Sequence, residues 1–99
     1  MLPNQEKAFW DFYNTARHNE VLDDKTTLML HLAASMAVGC YPCMRYYLMQ
    51  KESVKLTDEE VGVIESIVMA VSAGRVMMQH KEACSKGSGT SEDECVGPC

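Results

Sequence analysis

Two cysteines separated by two residues are the part of this sequence best suited to chemistry. The motif Cys40-Tyr41-Pro42-Cys43 follows a glycine and stands at the predicted start of a helix. Thiols at this spacing can close a small disulfide, and a helix N-terminus stabilises a thiolate through its partial positive charge and unpaired N–H groups. One thiol would then act as the nucleophile, and the second would resolve the mixed disulfide. The motif predicts a redox-active pair, with a zinc half-site and two buried thiols as the alternatives.

Three further cysteines lie near the C-terminus of the sequence, at Cys84, Cys95 and Cys99. His80 precedes Cys84 by four residues, so the two would share one helix face. Together the four residues make a Cys3His ligand set, although their spacing does not match a standard zinc module. The alternatives are a redox link to the CxxC pair and free thiols in a mobile segment. We predict no metal ligands beyond these four candidates, and no cofactor other than the Cys40–Cys43 disulfide.

Composition and charge exclude several classes of protein. The chain has 99 residues, enough for one domain, and its formal net charge of −5 argues against a nucleic-acid-binding protein. Residues 1–7 have neither the basic nor the apolar part of a signal peptide, and no uninterrupted apolar run reaches the length of a membrane span. An odd number of cysteines, 5, also disfavours a secreted disulfide scaffold. These observations predict a cytoplasmic protein with no membrane or nucleic-acid partner.

Four helices are predicted to position these residues, and no segment indicates a strand. Their approximate bounds are 3–17, 25–38, 40–51 and 58–83. Gly39 ends the second helix, and Thr57 with Glu60 forms a capping box at the start of the fourth. Residues 1–83 are therefore expected to form one helical domain, whereas the small polar residues of 84–99 predict a flexible tail.

The second predicted helix is apolar on nearly all sides between Leu28 and Val38. Such a helix is normally buried all round. A chain this short buries only roughly 60–65% of its unfolded surface, which makes full enclosure within one chain difficult. The sequence therefore predicts an oligomer in which subunits share a core.

Two sequence blocks resemble the carboxymuconolactone decarboxylase family, and within it the alkylhydroperoxidase D-like proteins. The first block is Asp24-Lys25-Thr26, a helix rich in Leu and Ala, and Gly39 with the CxxC motif. The second is 56–61, which leads into a long helix containing Ala73-Gly74, and the likeness covers about residues 20–80. The resemblance implies an all-α helical bundle, assembled as a homotrimer or homohexamer. It also implies a CxxC used as a peroxidase or disulfide reductase centre.

The chain departs from the redox members of that family at two positions. In those members a Glu twelve residues before the first cysteine and a His four residues after the second form a proton relay. Leu28 and Tyr47 stand at these positions here. Tyr47 can donate a hydrogen bond but is a poor base at pH 7, because a tyrosine pKa lies near ~10. His31, one helical turn from Leu28, is the candidate substitute, with a hydrogen-bonded interior histidine as the alternative. The predicted catalytic residues are thus Cys40, Cys43, Tyr47 and His31.

The predicted function is that of a thiol–disulfide oxidoreductase of peroxidase or disulfide reductase type. A peroxide, or a small-molecule or protein disulfide, would be the substrate, and a thiol would be the reductant. Tyr41, Tyr46 and Tyr47 are expected to shape a small pocket over the motif. The alternatives are a non-enzymatic helical oligomer that senses redox state or binds metal, and a decarboxylase acting on a lactone, which the family name alone suggests.

Overall fold

Four α-helices and no strand make up the part of the chain that the computed structural model describes, residues 2–88, with side chains described through residue 85. The helices are α1 (Pro3–Arg17), α2 (Asp24–Val38), α3 (Tyr41–Leu48) and α4 (Asp58–Ser88). A 3₁₀ helix, Lys51–Val54, lies between α3 and α4. The chain divides after Glu65 into two compact units, and α4 runs through both. The prediction of an all-α fold is confirmed.

Two helix ends differ from the sequence prediction. Helix α3 ends at Leu48 rather than near residue 51, because the N–H of Gln50 bonds to the carbonyl of Tyr47 three residues back and tightens the last turn. Helix α4 continues to Ser88, beyond the predicted end near residue 83, since extending a helix already formed requires no new nucleation. The first residues of the predicted flexible tail are therefore helical. Its remaining residues, 89–99, lie outside the described part of the chain.

Side-chain caps begin the two helices that carry the family-like blocks. The Asp23 carboxylate accepts the N–H of Thr26 at 2.6 Å and caps α2. At the start of α4, the N–H of Thr57 donates to Glu60 at 2.9 Å, and the N–H of Glu60 donates to the Thr57 hydroxyl at 3.1 Å. The predicted capping box is confirmed, and two N–H groups that the helix itself leaves unpaired are satisfied.

The core of the first unit is small and is built on one face of α2. Leu28 and Leu32 are fully buried at 0 % exposure, and three residues from other segments complete the cluster: Tyr47, Leu56 and Ile64. This core places α3, and with it the CxxC motif, against α2. Replacing either fully buried leucine would leave a cavity at the position where the helices meet.

The other face of α2 is exposed within the chain, at Leu30 and Val38. Helices α1 and α4 likewise carry many exposed apolar side chains, among them Phe9, Trp10, Phe12, Val63, Ile67, Met69, Val71, Val76, Met77 and Met78. Within a single chain α2 is therefore enclosed on one face only, as expected for so apolar a helix in a chain this short. Soluble monomers rarely expose large apolar patches.

The length and apolar composition of helix α4 bear on the sequence prediction that no apolar run reaches the length of a membrane span. By length and composition alone, residues 58–85 are long and apolar enough to cross a membrane. Only 6 % of their most apolar 18-residue stretch is buried. Glu65 and Arg75 interrupt its apolar residues, so no uninterrupted run marks it in the sequence. A core helix of a soluble protein can have the same length and composition.

Candidate functional site

A glycine in the left-handed backbone conformation links α2 to the CxxC motif. Gly39 has φ +74°, a conformation that a side chain at this position would strain. Its N–H bonds to the carbonyl of Met36, and the N–H of Cys40 bonds to the carbonyl of Ser35 at 3.0 Å. These bonds pair the last carbonyls of α2 and fix Cys40 as the residue that caps α3.

Cys40 and Cys43 form a disulfide at the N-terminus of α3, with their Cα atoms 5.2 Å apart. The Cys40 sulfur also accepts the N–H of Cys43 at 3.3 Å, in the way that a capping side-chain oxygen would. Pro42 occupies the first turn, where its missing N–H has no helical partner to lose. The motif thus places the Cys40 sulfur beside an N–H group of the helix end.

The sulfur-bearing residue Cys43 lies on the wall of a cleft of about 380 Å³. Helix α1 contributes Phe9, Trp10 and Tyr13 to this cleft. Helix α3 contributes Pro42, Cys43, Tyr46 and Tyr47. Cys40 is absent from this lining. Tyr41 lines a separate cleft with Arg45, so the expectation that three tyrosines would enclose the motif holds for Tyr46 and Tyr47. The cleft suits an apolar molecule, or the apolar part of one, presented to Cys43.

Two tyrosine hydroxyls meet at this cleft, one from each wall. The Tyr13 and Tyr47 oxygens lie 2.6 Å apart, and Tyr47 is only 6 % exposed. Burial, followed by the hydrogen bond to Tyr47, raises the pKa of Tyr13 well above its ordinary value, and Arg17 opposes this rise. Tyr13 therefore holds its proton at neutral pH, and the pair is a neutral hydroxyl–hydroxyl contact beside the cysteine.

His31 lies against the tyrosine pair but does not line the Cys43 cleft. Its ring centroid is 5.7 Å from that of Tyr13 and 5.1 Å from that of Tyr47. The ring lines a different cleft, of about 250 Å³, between α1 and α2. Burial, followed by the nearby Arg17 guanidinium, lowers the pKa of His31, so its imidazole is neutral at pH 7. The structure brings His31 to Tyr47, but His31 and Cys43 line different clefts.

Arg17 is a buried cation beside these rings. It is 9 % exposed, and its guanidinium donates to the Gln50 side-chain oxygen at 2.5 Å. Its charge acts on two neighbours, lowering the pKa of both His31 and Tyr13. Arg17 therefore favours a neutral imidazole at His31, and it favours the ionised form of Tyr13, although burial and the bond to Tyr47 outweigh this effect on the Tyr13 pKa.

We expect the His31→Phe variant to be less sensitive to acid than the unsubstituted chain. The folded state binds a proton at His31 less readily than the unfolded state does. Stability is therefore complete above about pH 6.5 and falls as the pH drops from there toward the lowered pKa. Urea denaturation midpoints between about pH 7.5 and about pH 5.5 measure this fall. The same pH dependence in both chains would contradict the lowered pKa of His31. The His18→Asn variant controls for removal of a histidine, because His18 is exposed.

The C-terminal ligand candidates are only partly within the described chain. The Cys84 sulfur lies 3.7 Å from His80 Nε2, one turn away on α4, and Cys84 takes part in a disulfide. Cys95 and Cys99 lie outside the described residues. Within residues 2–85 no three His, Cys, Asp or Glu side chains gather as metal ligands would.

The position at which the resemblance implies a glutamate is part of the hydrophobic core. Leu28 is fully buried in the hydrophobic cluster with Tyr47, which stands at the family's histidine position. The sequence did not identify Tyr13, Phe9 and Trp10 as residues of the site. They lie on α1, outside both family-like blocks. The spacing of Phe9 and Tyr13, four residues apart, was the available signal that they share a face.

Comparison with known proteins places the chain in a family. The model of the carboxymuconolactone decarboxylase family matches residues 3–84. No curated protein and no solved structure matches the chain. The match includes all of α1, α2 and α3 and most of α4, and therefore includes the CxxC motif and its aromatic cleft. The resemblance seen in the sequence is confirmed: the chain belongs to the carboxymuconolactone decarboxylase family.

Proposed function

We propose that the protein is a thiol–disulfide oxidoreductase whose Cys40–Cys43 pair cycles between dithiol and disulfide. The observation that carries this proposal is the position of Cys43, which is paired with Cys40 and also lines an aromatic cleft. A disulfide with only a structural role would not require such a cleft at one sulfur. The family includes both peroxidase-like enzymes and decarboxylases, and only the first kind of chemistry uses a pair of thiols.

The two cysteines have different roles in this proposal. Cys43 meets the substrate, because it lines the cleft and Cys40 does not. Cys40 is the resolving thiol and, on reduction, the leaving thiolate. The N–H of Cys43 already points at the Cys40 sulfur, so negative charge on that sulfur is stabilised. A stabilised thiolate leaves faster in disulfide exchange.

With a peroxide as oxidant, the Cys43 thiolate attacks one peroxide oxygen. A sulfur–oxygen bond forms, the oxygen–oxygen bond breaks, and the departing oxygen takes a proton, which leaves Cys43 as a sulfenic acid. The Cys40 thiol then attacks the Cys43 sulfur, and water leaves as the disulfide forms. In sum the dithiol is oxidised by two electrons and the peroxide is reduced to an alcohol and water.

With a disulfide as oxidant, Cys43 attacks one of its sulfurs, and Cys40 resolves the mixed disulfide. In either case an external thiol returns the pair to the dithiol. That thiol attacks Cys43 from the cleft and expels the Cys40 thiolate, and a second thiol completes the reduction. The reductant is thereby oxidised to a disulfide, which balances the cycle.

We also propose that copies of this chain cover the exposed apolar faces of α1, α2 and α4. The exposed residues include Phe12, Leu30 and Ile67, each more than half accessible in the single chain. A homotrimer or homohexamer is expected, and sedimentation equilibrium at several protein concentrations measures the assembly directly. A monomer at every concentration, with these faces left in contact with water, would contradict this proposal.

A turnover assay with two arms tests the proposed function. The reduced protein is supplied with a dithiol reductant and with either cumene hydroperoxide or an aromatic disulfide as oxidant. We expect turnover in at least one arm. Absence of turnover in both, with zinc or iron bound to protein purified without oxygen, would favour the metal-binding alternative. Absence of turnover with reversible closure of the disulfide would favour a redox sensor.

A further inference from the structure

We propose that the Tyr13–Tyr47 hydroxyl pair supplies the proton that the departing oxygen takes when Cys43 attacks a peroxide. This inference rests on the proposed function and assigns a role to Tyr13, which belongs to neither of the family-like blocks. Tyr47 is the donor to the leaving oxygen. Tyr13 is a positioning residue, because it acts through its hydrogen bond to Tyr47.

The position of Tyr47 supports its role as the donor. It follows Cys43 by four residues on α3, so the two side chains lie on one face of that helix, one turn apart. Both residues line the same cleft, and a molecule that reaches the Cys43 sulfur lies beside the Tyr47 ring. Tyr47 is only 6 % exposed, so little of the residue is in contact with bulk water.

In this proposal Tyr13 is the donor of the hydrogen bond between the two hydroxyls, whose oxygens lie 2.6 Å apart. The raised pKa of Tyr13, caused by burial and by the bond to Tyr47, is consistent with a hydroxyl that keeps its proton. The Tyr47 proton is then available to the cleft. After transfer, negative charge on Tyr47 is stabilised by its hydrogen bond from Tyr13, and a solvent proton that enters the cleft restores the hydroxyl.

The acidities of the leaving groups decide which oxidant the pair assists. The departing group is an alkoxide, which like hydroxide (conjugate acid of pKa about 15.7) is far more basic than the anion of a tyrosine with a pKa of about 10, so the proton moves downhill. A departing thiolate has a conjugate acid of pKa about 8.5, so the same transfer runs uphill. The hydroxyl pair therefore assists cleavage of an oxygen–oxygen bond and gives no such help to cleavage of a sulfur–sulfur bond.

The two-arm assay on Tyr47→Phe, Tyr13→Phe and the double variant tests this role. Phenylalanine keeps both rings, so the cleft and KM for cumene hydroperoxide should stay within about twofold. We expect kcat in the peroxide arm to fall about a hundredfold for Tyr47→Phe and about tenfold for Tyr13→Phe, at the lower end of acid–base effects. The disulfide arm should change by less than about threefold in each variant.

The double variant separates a hydrogen-bonded pair from two independent groups. If Tyr13 acts through Tyr47, Tyr13→Phe/Tyr47→Phe should be no slower than Tyr47→Phe alone. The double variant also leaves no orphaned hydroxyl, so it stays informative if a single variant folds poorly. Additive losses, equal losses in both arms or an unchanged peroxide kcat would each overturn the inference.

Failure of this inference can be distinguished from failure of the proposed function. If the unsubstituted chain reduces the aromatic disulfide but not the peroxide, the oxidoreductase proposal stands and the role of the tyrosine pair is lost. If the unsubstituted chain turns over neither oxidant, the proposed function itself fails. Tyr41→Phe is the matched control, because Tyr41 is exposed, lines a separate cleft and lies outside the hydroxyl pair. Its peroxide kcat should stay within about twofold of the unsubstituted value.

Discussion

Replacing Cys43 by serine should reduce turnover at least about a thousandfold with both oxidants, as expected for loss of an enzyme's nucleophile. A serine hydroxyl does not ionise near neutral pH and cannot form the sulfenic acid or the disulfide on which the cycle depends. The steady-state rates of the peroxide arm and of the disulfide arm measure this loss. Cys43 lies on the surface of the core cluster, so the substitution should leave the helices folded.

Two other cysteine variants make this result specific. Cys40→Ser should lose steady-state turnover but still react once with peroxide, leaving a sulfenic acid on Cys43 that dimedone traps. Cys84→Ser removes a sulfur outside the proposed site, so its rates should stay within about twofold if the C-terminal cysteines have no part in the cycle. A Cys43→Ser rate close to that of the unsubstituted chain would eliminate Cys43 as the nucleophile. A large loss in Cys84→Ser would instead favour a redox link between the two cysteine groups.

The Leu28→Glu variant places a glutamate where the resemblance implies one in the redox members of the family. We expect it to destabilise the fold and to reduce peroxide no faster than the unsubstituted chain. Leu28 is 0 % exposed and packs in the core with Leu32 and Tyr47. An uncompensated buried charge costs about 3–5 kcal/mol, a large part of the roughly 5–15 kcal/mol that stabilises a typical domain. The free energy of unfolding from urea denaturation, at fixed protein concentration, measures the loss.

The pH dependence of the Leu28→Glu variant identifies the cause. Burial raises the pKa of the new carboxyl above its unfolded value of about 4.3, so the folded state holds the proton more tightly. The loss of stability should therefore be smallest near about pH 4 and grow as the pH rises. Val21→Glu is the matched control, because Val21 is 90 % exposed and should cost no more than about 0.5 kcal/mol. A Leu28→Glu variant as stable as the control, with faster peroxide turnover, would contradict this account of the core.

The helices and the CxxC turn could be predicted because their signals are local. Gly39 must adopt a left-handed conformation to end α2, and Thr57 with Glu60 satisfies N–H groups within one turn of α4. Such features depend on residues a few positions apart. The end of α3 was less predictable, since its last turn tightens into the 3₁₀ helix through backbone bonds that carry no side-chain signature.

The cleft was only half predictable, because its second wall comes from a distant part of the chain. Tyr46 and Tyr47 follow the motif directly, whereas Tyr13 precedes Tyr47 by thirty-four residues and meets it only after α1 and α3 pack. The sequence also left His31 as a candidate relay on the basis of helical spacing. Its ring does lie beside Tyr47, but which cleft it lines depends on how α1 crosses α2, and spacing along one helix carries no information about that.

A single-turnover experiment tests the central claim most directly. Protein reduced without oxygen is mixed with one equivalent of cumene hydroperoxide, remaining thiols are alkylated, and peptides are identified by mass spectrometry. The account predicts one equivalent of alcohol, loss of two hydrogen atoms from the peptide that carries Cys40 and Cys43, and no alkylation of either residue. Full alkylation of both cysteines after the peroxide is consumed, or with the peroxide left intact, would contradict it.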